Sequence, residues 1–184
     1  NNGVRWFRGL GASNVSIVPI IDKASANDPP LAKQLLQSRL IYLLGGFPGY
    51  LGETVKGSLC WQAALEAYAN GAVLAGSSAG AMVLCQYYFD PARQQVAEGL
   101  NLLPNTCVLP HHDTFGHRWV RQLTRLLPDA VLLGIDERTG MLDDGSGVRK
   151  VSWRVYGQGA VTIYHRGQPA VHGSDQQFDD AFLP

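Results

Sequence analysis

Ser78 lies in Gly76-Ser77-Ser78-Ala79-Gly80, a Gly-x-Ser-x-Gly arrangement. At that spacing the glycines let a strand and a helix come close together. The serine between them is held in a strained backbone conformation with its hydroxyl exposed, which is the nucleophile-elbow arrangement. A serine hydroxyl is a poor nucleophile at neutral pH, so a base must stand within hydrogen-bond reach, and imidazole has a suitable intrinsic pKa. Of the five histidines, His111, His112 and His117 follow a predicted strand end, whereas His165 and His172 fall in the C-terminal part of the chain. His111, directly after Pro110, is favoured as the base; His112 and His117 read as surface loop residues. A carboxylate should orient the imidazole. Asp90, Glu98 and Asp113 are candidates, and Asp136 and Glu137, at another predicted strand end, stay open beside them. Oxyanion donors are expected from the backbone N–H of Ala79, at the positive end of the helix it begins, and from the loop Gly45-Gly46-Phe47.

The elements that must position these groups follow from pattern. Ala72 to Ala75 is a short buried strand, and Ala79 to Phe89 reads as the helix after the elbow. Upstream, Val4 to Leu10 and Leu31 to Ser38 are predicted helical, Asn14 to Ile21 a strand made irregular by Pro19, and Leu40 to Leu44 a strand that ends in the glycine loop. Leu59 to Asn70 has Trp61, Leu65 and Tyr68 at helical spacing, with Asn70-Gly71 as its stop. Downstream, Thr106 to Leu109 and Ala130 to Ile135 are predicted strands on either side of a helix over His117 to Leu127. Lys150 to Tyr156 and Ala160 to His165, separated by Gly157-Gln158-Gly159, read as a β-hairpin after the loop Asp143-Asp144-Gly145. The stretch from Gly173 to Pro184 is polar and expected to be peripheral. Strands alternating with helices imply a three-layer α/β fold, a mostly parallel sheet with helices on both faces, with the site at the carboxyl ends of the strands.

The chain has 184 residues, 46% of them hydrophobic and 16% charged, with 15 basic against 15 acidic side chains. That length suits a single domain over residues 1–184, and the balanced charge argues against nucleic-acid or membrane-surface binding. The expected partner is a small peptide substrate; pairing with a second copy as a homodimer stays open. Cys60, Cys85 and Cys107 lack metal-ligand spacing and are odd in number, as buried free thiols in a reducing compartment would be, so no metal and no cofactor is expected. Without a membrane-spanning run or a signal pattern, a cytoplasmic location is expected.

Taken together and in order, Gly45-Gly46, Gly76-Ser77-Ser78-Ala79-Gly80-Ala81, Gly99-Leu100-Asn101-Leu102 ahead of Pro110-His111, and Gly134-Ile135-Asp136-Glu137 resemble the S51 serine peptidases. That family includes the aspartyl dipeptidase peptidase E and the cyanophycinases. The likeness runs from Val15 to about Tyr164. It implies a fold like the class I glutamine amidotransferases, flavodoxin-like in plan, with serine in place of their cysteine. Carried over, it makes Ser78 the nucleophile and His111 the general base, and puts His112 in an aromatic slot. It places the triad acid between elbow and histidine, where Asp90 matches best by distance and Glu98 is the fallback. The family's opening strand and glycine-rich turn have no counterpart here, Phe47 replaces a polar residue of the glycine loop, and Arg118, Arg121 and Arg125 stand at altered spacing.

The function expected is therefore hydrolysis of a peptide bond in small peptides by a Ser-His-acid triad, including dipeptides with an acidic residue. The alternative is a non-catalytic, glutamine-amidotransferase-like binding module. Amidotransferase chemistry itself would need a cysteine in the elbow, and Cys85 is too far along to serve.

Overall fold

A computed structural model describes residues 2–143 and 152–179. Residues 144–151 and 180–184 lie outside the described residues. With them fall Asp144-Gly145 of the expected loop, the start of the strand expected from Lys150 and the end of the C-terminal stretch. The chain, read above as one domain, divides into two compact parts: Asn1–Leu44 with Glu53–Ala75, and Gly45–Gly52 with Gly76–Pro184.

The first part is mostly helical. It contains α1 (Asn2–Gly9), α2 (Lys23–Ala26), α3 (Pro29–Leu36) and β1 (Leu40–Leu43). Local chemistry sets the starts. Asp22 accepts the backbone N–H of Ser25 while the Ser25 hydroxyl reaches back to the Asp22 amide, and Asp28 precedes Pro29 at the head of α3. The helix α4 (Pro48–Val55) bridges both parts. It is followed by α5 (Leu59–Ala69), capped by Ser58 on the amide of Trp61 at 3.1 Å, and by β2 (Val73–Gly76), which pairs with β1. The strand expected over residues 14–21 is not formed. Pro19 has no N–H for a ladder, and Ile17 and Ile21 are exposed rather than buried.

The second part begins with the elbow. The helix α6 (Ala79–Leu84) is shorter than expected, because Cys85–Asp90 is a strand, β3. The reason is tertiary: Leu100 and Leu102 donate their amides to the carbonyls of Val83 (2.7 Å) and Leu84 (2.8 Å), closing the helix end, and the aromatic Tyr88 and Phe89 are buried in the sheet. A Cβ on Gly99 would run into the carbonyls of Val83 and Cys85, so that approach requires glycine. After β4 (Gln95–Glu98) and β5 (Leu103–Pro110), a 3-10 turn (Gly116–Trp119) leads into α7 (Val120–Leu126), which splits the helix expected over 117–127. Then come β6 (Val131–Ile135), β7 (Thr139–Asp143), β8 (Ser152–Gly157), β9 (Ala160–His165), β10 (Gln168–Gly173) and β11 (Gln177–Asp179).

The main sheet has the order β10-β9-β6-β5-β3-β4. Its centre, β3-β5-β6, is parallel, and antiparallel strands flank it on both sides, giving an α/β fold with α6 and α7 packed on the sheet. Phe89, Cys107, Leu109, Leu123 and Leu132 form a fully buried cluster between strands and α7. The C-terminal hairpin is present with different partners from those expected. β9 pairs with β10 around Arg166-Gly167, while β8 joins β7 and β11 in a separate three-stranded sheet. Among the described residues no helix is long and apolar enough to cross a membrane.

Candidate active site

The site lies in the second part of the chain. Ser78 has φ 50° and ψ −119°, a conformation that side chains other than hydrogen rarely adopt, and its strain is what points the hydroxyl out of the turn. Gly76 makes the turn fit, since a Cβ there would lie 2.5 Å from the carbonyl carbon of Gly80. Gly45 does the same on the other side: a Cβ on it would sit 3.1 Å from Cβ of Ser78, so its backbone passes directly against the serine, followed by Gly46 at φ 149°. Ala79 opens α6, where a first-turn amide has no intrahelical acceptor and is available to a developing oxyanion.

His111 is one residue beyond the end of β5 and also has a left-handed backbone, φ 52°. Its carbonyl accepts the amides of Thr114, Phe115 and Gly116, which holds the turn, and the ring of Phe115 stacks on the imidazole with centroids 5.0 Å apart. The imidazole bridges two partners. Nε2 lies 3.2 Å from Oγ of Ser78, and Nδ1 lies 3.3 Å from Oε1 of Glu137. A carboxylate on Nδ1 selects the tautomer that carries its proton there, leaving Nε2 to accept the serine proton. The pair is accessible, with the His111 and Glu137 side chains 35% and 48% exposed.

Glu137 reaches His111 because β5 and β6 are adjacent and parallel, with Pro110 opposite Ile135. The residues just past the two strand ends therefore meet. Asp113 accepts the Glu137 amide at 2.9 Å, and the Thr114 hydroxyl lies 3.4 Å from Oε1 of Glu137, so the turn after β5 grips the segment after β6.

Asp90 does not take the place that the resemblance gave it. Its side chain is 5% exposed, and Oδ1 accepts the amides of Ala92 (2.9 Å) and Arg93 (3.3 Å), while Oδ2 faces Arg93 Nε at 3.8 Å. The carboxylate thus closes the turn between β3 and β4 and supports no imidazole. Glu98 is on the edge strand β4, separated from β5 by β3. Asp113 acts through its bond to the Glu137 backbone. Of the carboxylates at strand ends, Glu137 is the one that faces His111, a placement that depends on β6 lying beside β5.

His112 is buried at 9% exposure, contrary to its reading as a surface loop residue. Nδ1 lies 3.4 Å from Oδ1 of Asp136 and Nε2 lies 2.9 Å from the Tyr164 hydroxyl, while the Asp136 carboxylate also accepts the Ala160 amide at 2.8 Å. Burial, with the Asp136 charge nearby, raises the pKa of Tyr164, so its hydroxyl stays protonated and can donate to His112. The imidazole lies flat against Gly134, where any Cβ would overlap it. His117 stays exposed and its Nδ1 lies 2.9 Å from the His112 carbonyl.

A strained serine on a strand-to-helix turn, an imidazole on its hydroxyl and a carboxylate behind the imidazole form the arrangement that α/β serine hydrolases use. The chain belongs to peptidase family S51, whose model matches residues 2–151. It is similar to the cyanophycinases of Synechococcus elongatus and Thermosynechococcus vestitus, each 31% identical over 176 residues, covering 85% of this chain and 51% of the relative. The chain thus spans about half the length of the curated relatives it matches. Among solved structures, a peptidase from an acI-B1 Actinobacterium is 26% identical with a TM-score of 0.75, over 97% of this chain and 78% of that one. A peptidase E-type protein from Listeria monocytogenes EGD-e shares the fold at 13% identity and a TM-score of 0.53, over 93% and 75%.

Proposed function

We propose that this chain hydrolyses a peptide bond in small peptides, with Ser78 as nucleophile, His111 as general base and acid, and Glu137 as the carboxylate that orients it. Oγ of Ser78 attacks the peptide carbonyl as its proton passes to Nε2 of His111. The oxyanion is held by the N–H groups of Ala79 and Gly46. His111 then gives the proton to the leaving amine, and water, deprotonated by the same nitrogen, releases the acyl group from Ser78. The observation that carries this reading is the imidazole bridging Oγ of Ser78 and the Glu137 carboxylate at 3.2 and 3.3 Å.

The alternative of a binding module without catalysis would suit a serine and histidine pointing apart, and these two are within hydrogen-bond reach. The arginines that the resemblance links to an acidic-dipeptide preference, Arg118, Arg121 and Arg125, line a surface depression along α7 that shares no residue with the cleft at Ser78. The test is turnover of a dipeptide library by the wild type and by Ser78→Ala. Hydrolysis that persists in the Ser78→Ala protein would sink the mechanism.

A further inference from the structure

The cleft that Ser78 faces has a volume of about 220 Å³, and its walls beyond the serine, Gly46 and Ala79 are Pro48, Met82, Pro91, Pro110, Phe115 and Trp119. Among the described residues no charged side chain lines it. Arg93, two residues beyond Pro91, has Nε 3.8 Å from the Asp90 carboxylate and its guanidinium near Gly49, at the margin of the cleft and not in its wall, and Arg118, Arg121 and Arg125 line a different depression, in which none of the cleft residues takes part.

A carboxylate pushed against such walls would lose part of its water and meet no cation among the lining residues. An apolar side chain gives up little and gains contact with sulfur, proline and indole. The volume is below the roughly 300 Å³ at which pockets for whole small-molecule ligands begin, which suits a single large side chain. Because the same cleft contains the serine and both expected oxyanion donors, the side chain it receives belongs to the residue whose carbonyl is attacked.

We propose that this cleft is a subsite for one large apolar side chain, so that peptides with Leu, Met or Phe at the attacked carbonyl, rather than aspartyl peptides, are the substrate class. The inference rests on Ser78 being the nucleophile, and the experiment separates the two claims. The full chain is treated with a small fluorophosphonate without a side chain and with aminoacyl diphenyl phosphonates bearing Leu, Phe, Asp or Lys side chains. In the latter, Oγ of Ser78 bonds to phosphorus, and one phenol leaves with the serine proton. The rate of Ser78 adduct formation is followed by mass spectrometry.

The Leu and Phe probes are expected to label Ser78 at least about tenfold faster than the Asp and Lys probes, the scale on which apolar pockets discriminate. Pro91→Arg, which sets a cation on the cleft wall, should narrow the Leu-to-Asp ratio by about threefold or more. Asp labelling as fast as Leu, or all four at one rate, would overturn the apolar subsite while the fluorophosphonate adduct leaves the nucleophile in place. No adduct at Ser78 with any probe would overturn both.

Discussion

Nε2 of His111 stands 3.2 Å from Oγ of Ser78, and both residues are held in left-handed backbone conformations, φ 52° and 50°. Strain of this kind costs about 1–3 kcal/mol per residue and persists only where the surroundings enforce it. Ser78→Gly should remove it at one of the two positions. The variant is expected to be inactive yet as stable as the wild type or up to about 1 kcal/mol more stable, since glycine's larger unfolded entropy offsets part of the gain. A denaturant midpoint clearly below the wild-type value would mean that Ser78 carries no such strain.

Glu137→Gln keeps the side-chain shape and removes the charge behind the imidazole. Because the pair is open to water, the expected drop in kcat is about tenfold to a hundredfold, less than for a buried triad acid. Asp90→Ala should instead leave kcat within about threefold and cost about 1–3 kcal/mol in stability, because the amides of Ala92 and Arg93 lose their acceptor. The opposite pattern, with Asp90 controlling kcat and Glu137 silent, would return the triad acid to Asp90.

The buried His112 couples Asp136 to Tyr164. His112→Ala is expected to lower stability by about 2–3 kcal/mol by taking the partner from the Tyr164 hydroxyl and from one oxygen of Asp136, whose other oxygen keeps the Ala160 amide, while its effect on kcat stays far below that of His111→Ala, which should reduce kcat by several orders of magnitude. Gly134→Ala should mimic it, because the added methyl occupies the space of the imidazole. Thermal unfolding of both variants checks this, and an unchanged Tm for either would contradict the packing.

Burial pushes the Cys85 thiol up to about 11 and raises that of Cys107 as well, so neither presents appreciable thiolate at pH 8. Cys60, also buried, is raised too. The native protein should resist iodoacetamide at pH 8 under conditions that fully alkylate the unfolded chain. Rapid labelling of any cysteine in the native state would be inconsistent with these environments.

Desolvation lowers the pKa of His172 below its ordinary 6.5, beside the ring of Phe178 at 4.7 Å. The unfolded chain therefore takes up the proton first, so this contribution to stability is fully present above about pH 6.5 and is lost as the pH falls below it. Urea midpoints measured between pH 7.5 and 5 should decline with a slope that His172→Phe reduces. An identical slope in the variant would assign the decline to other groups.

Much of the site could be read along the chain because its chemistry is written in local spacing. Gly76 and Gly80 flank Ser78 because no larger residue fits a strand turning at once into a helix. Pro110-His111 marks a strand end because the chain must leave the sheet there. Caps such as Asp22, Asp28 and Ser58 likewise declare their helices with neighbouring residues alone. Segment 85–90 departs from helix because the residues that end α6 arrive from Gly99 to Leu102, and residues 14–21 stay outside the sheets because an apolar run does not say whether a sheet has room for it. The hairpin partners around β8 and β9 were exchanged because alternation reveals a strand and not its neighbour.

What the sequence determined by itself was the strand-to-helix turn at Ser78, the strands entering the glycine loop and that turn, the strands before Pro110-His111 and Asp136-Glu137, and the family; these follow from short-range sterics and from motifs a few residues long. Only the tertiary structure decided which carboxylate stands behind His111, that His112 is buried, and that the cleft is walled by proline, methionine and aromatic rings. Each of these depends on which strand lies beside which. The parallel pairing of β5 with β6 brings residue 137 next to residue 111 across 26 positions of chain, a separation that no periodicity encodes.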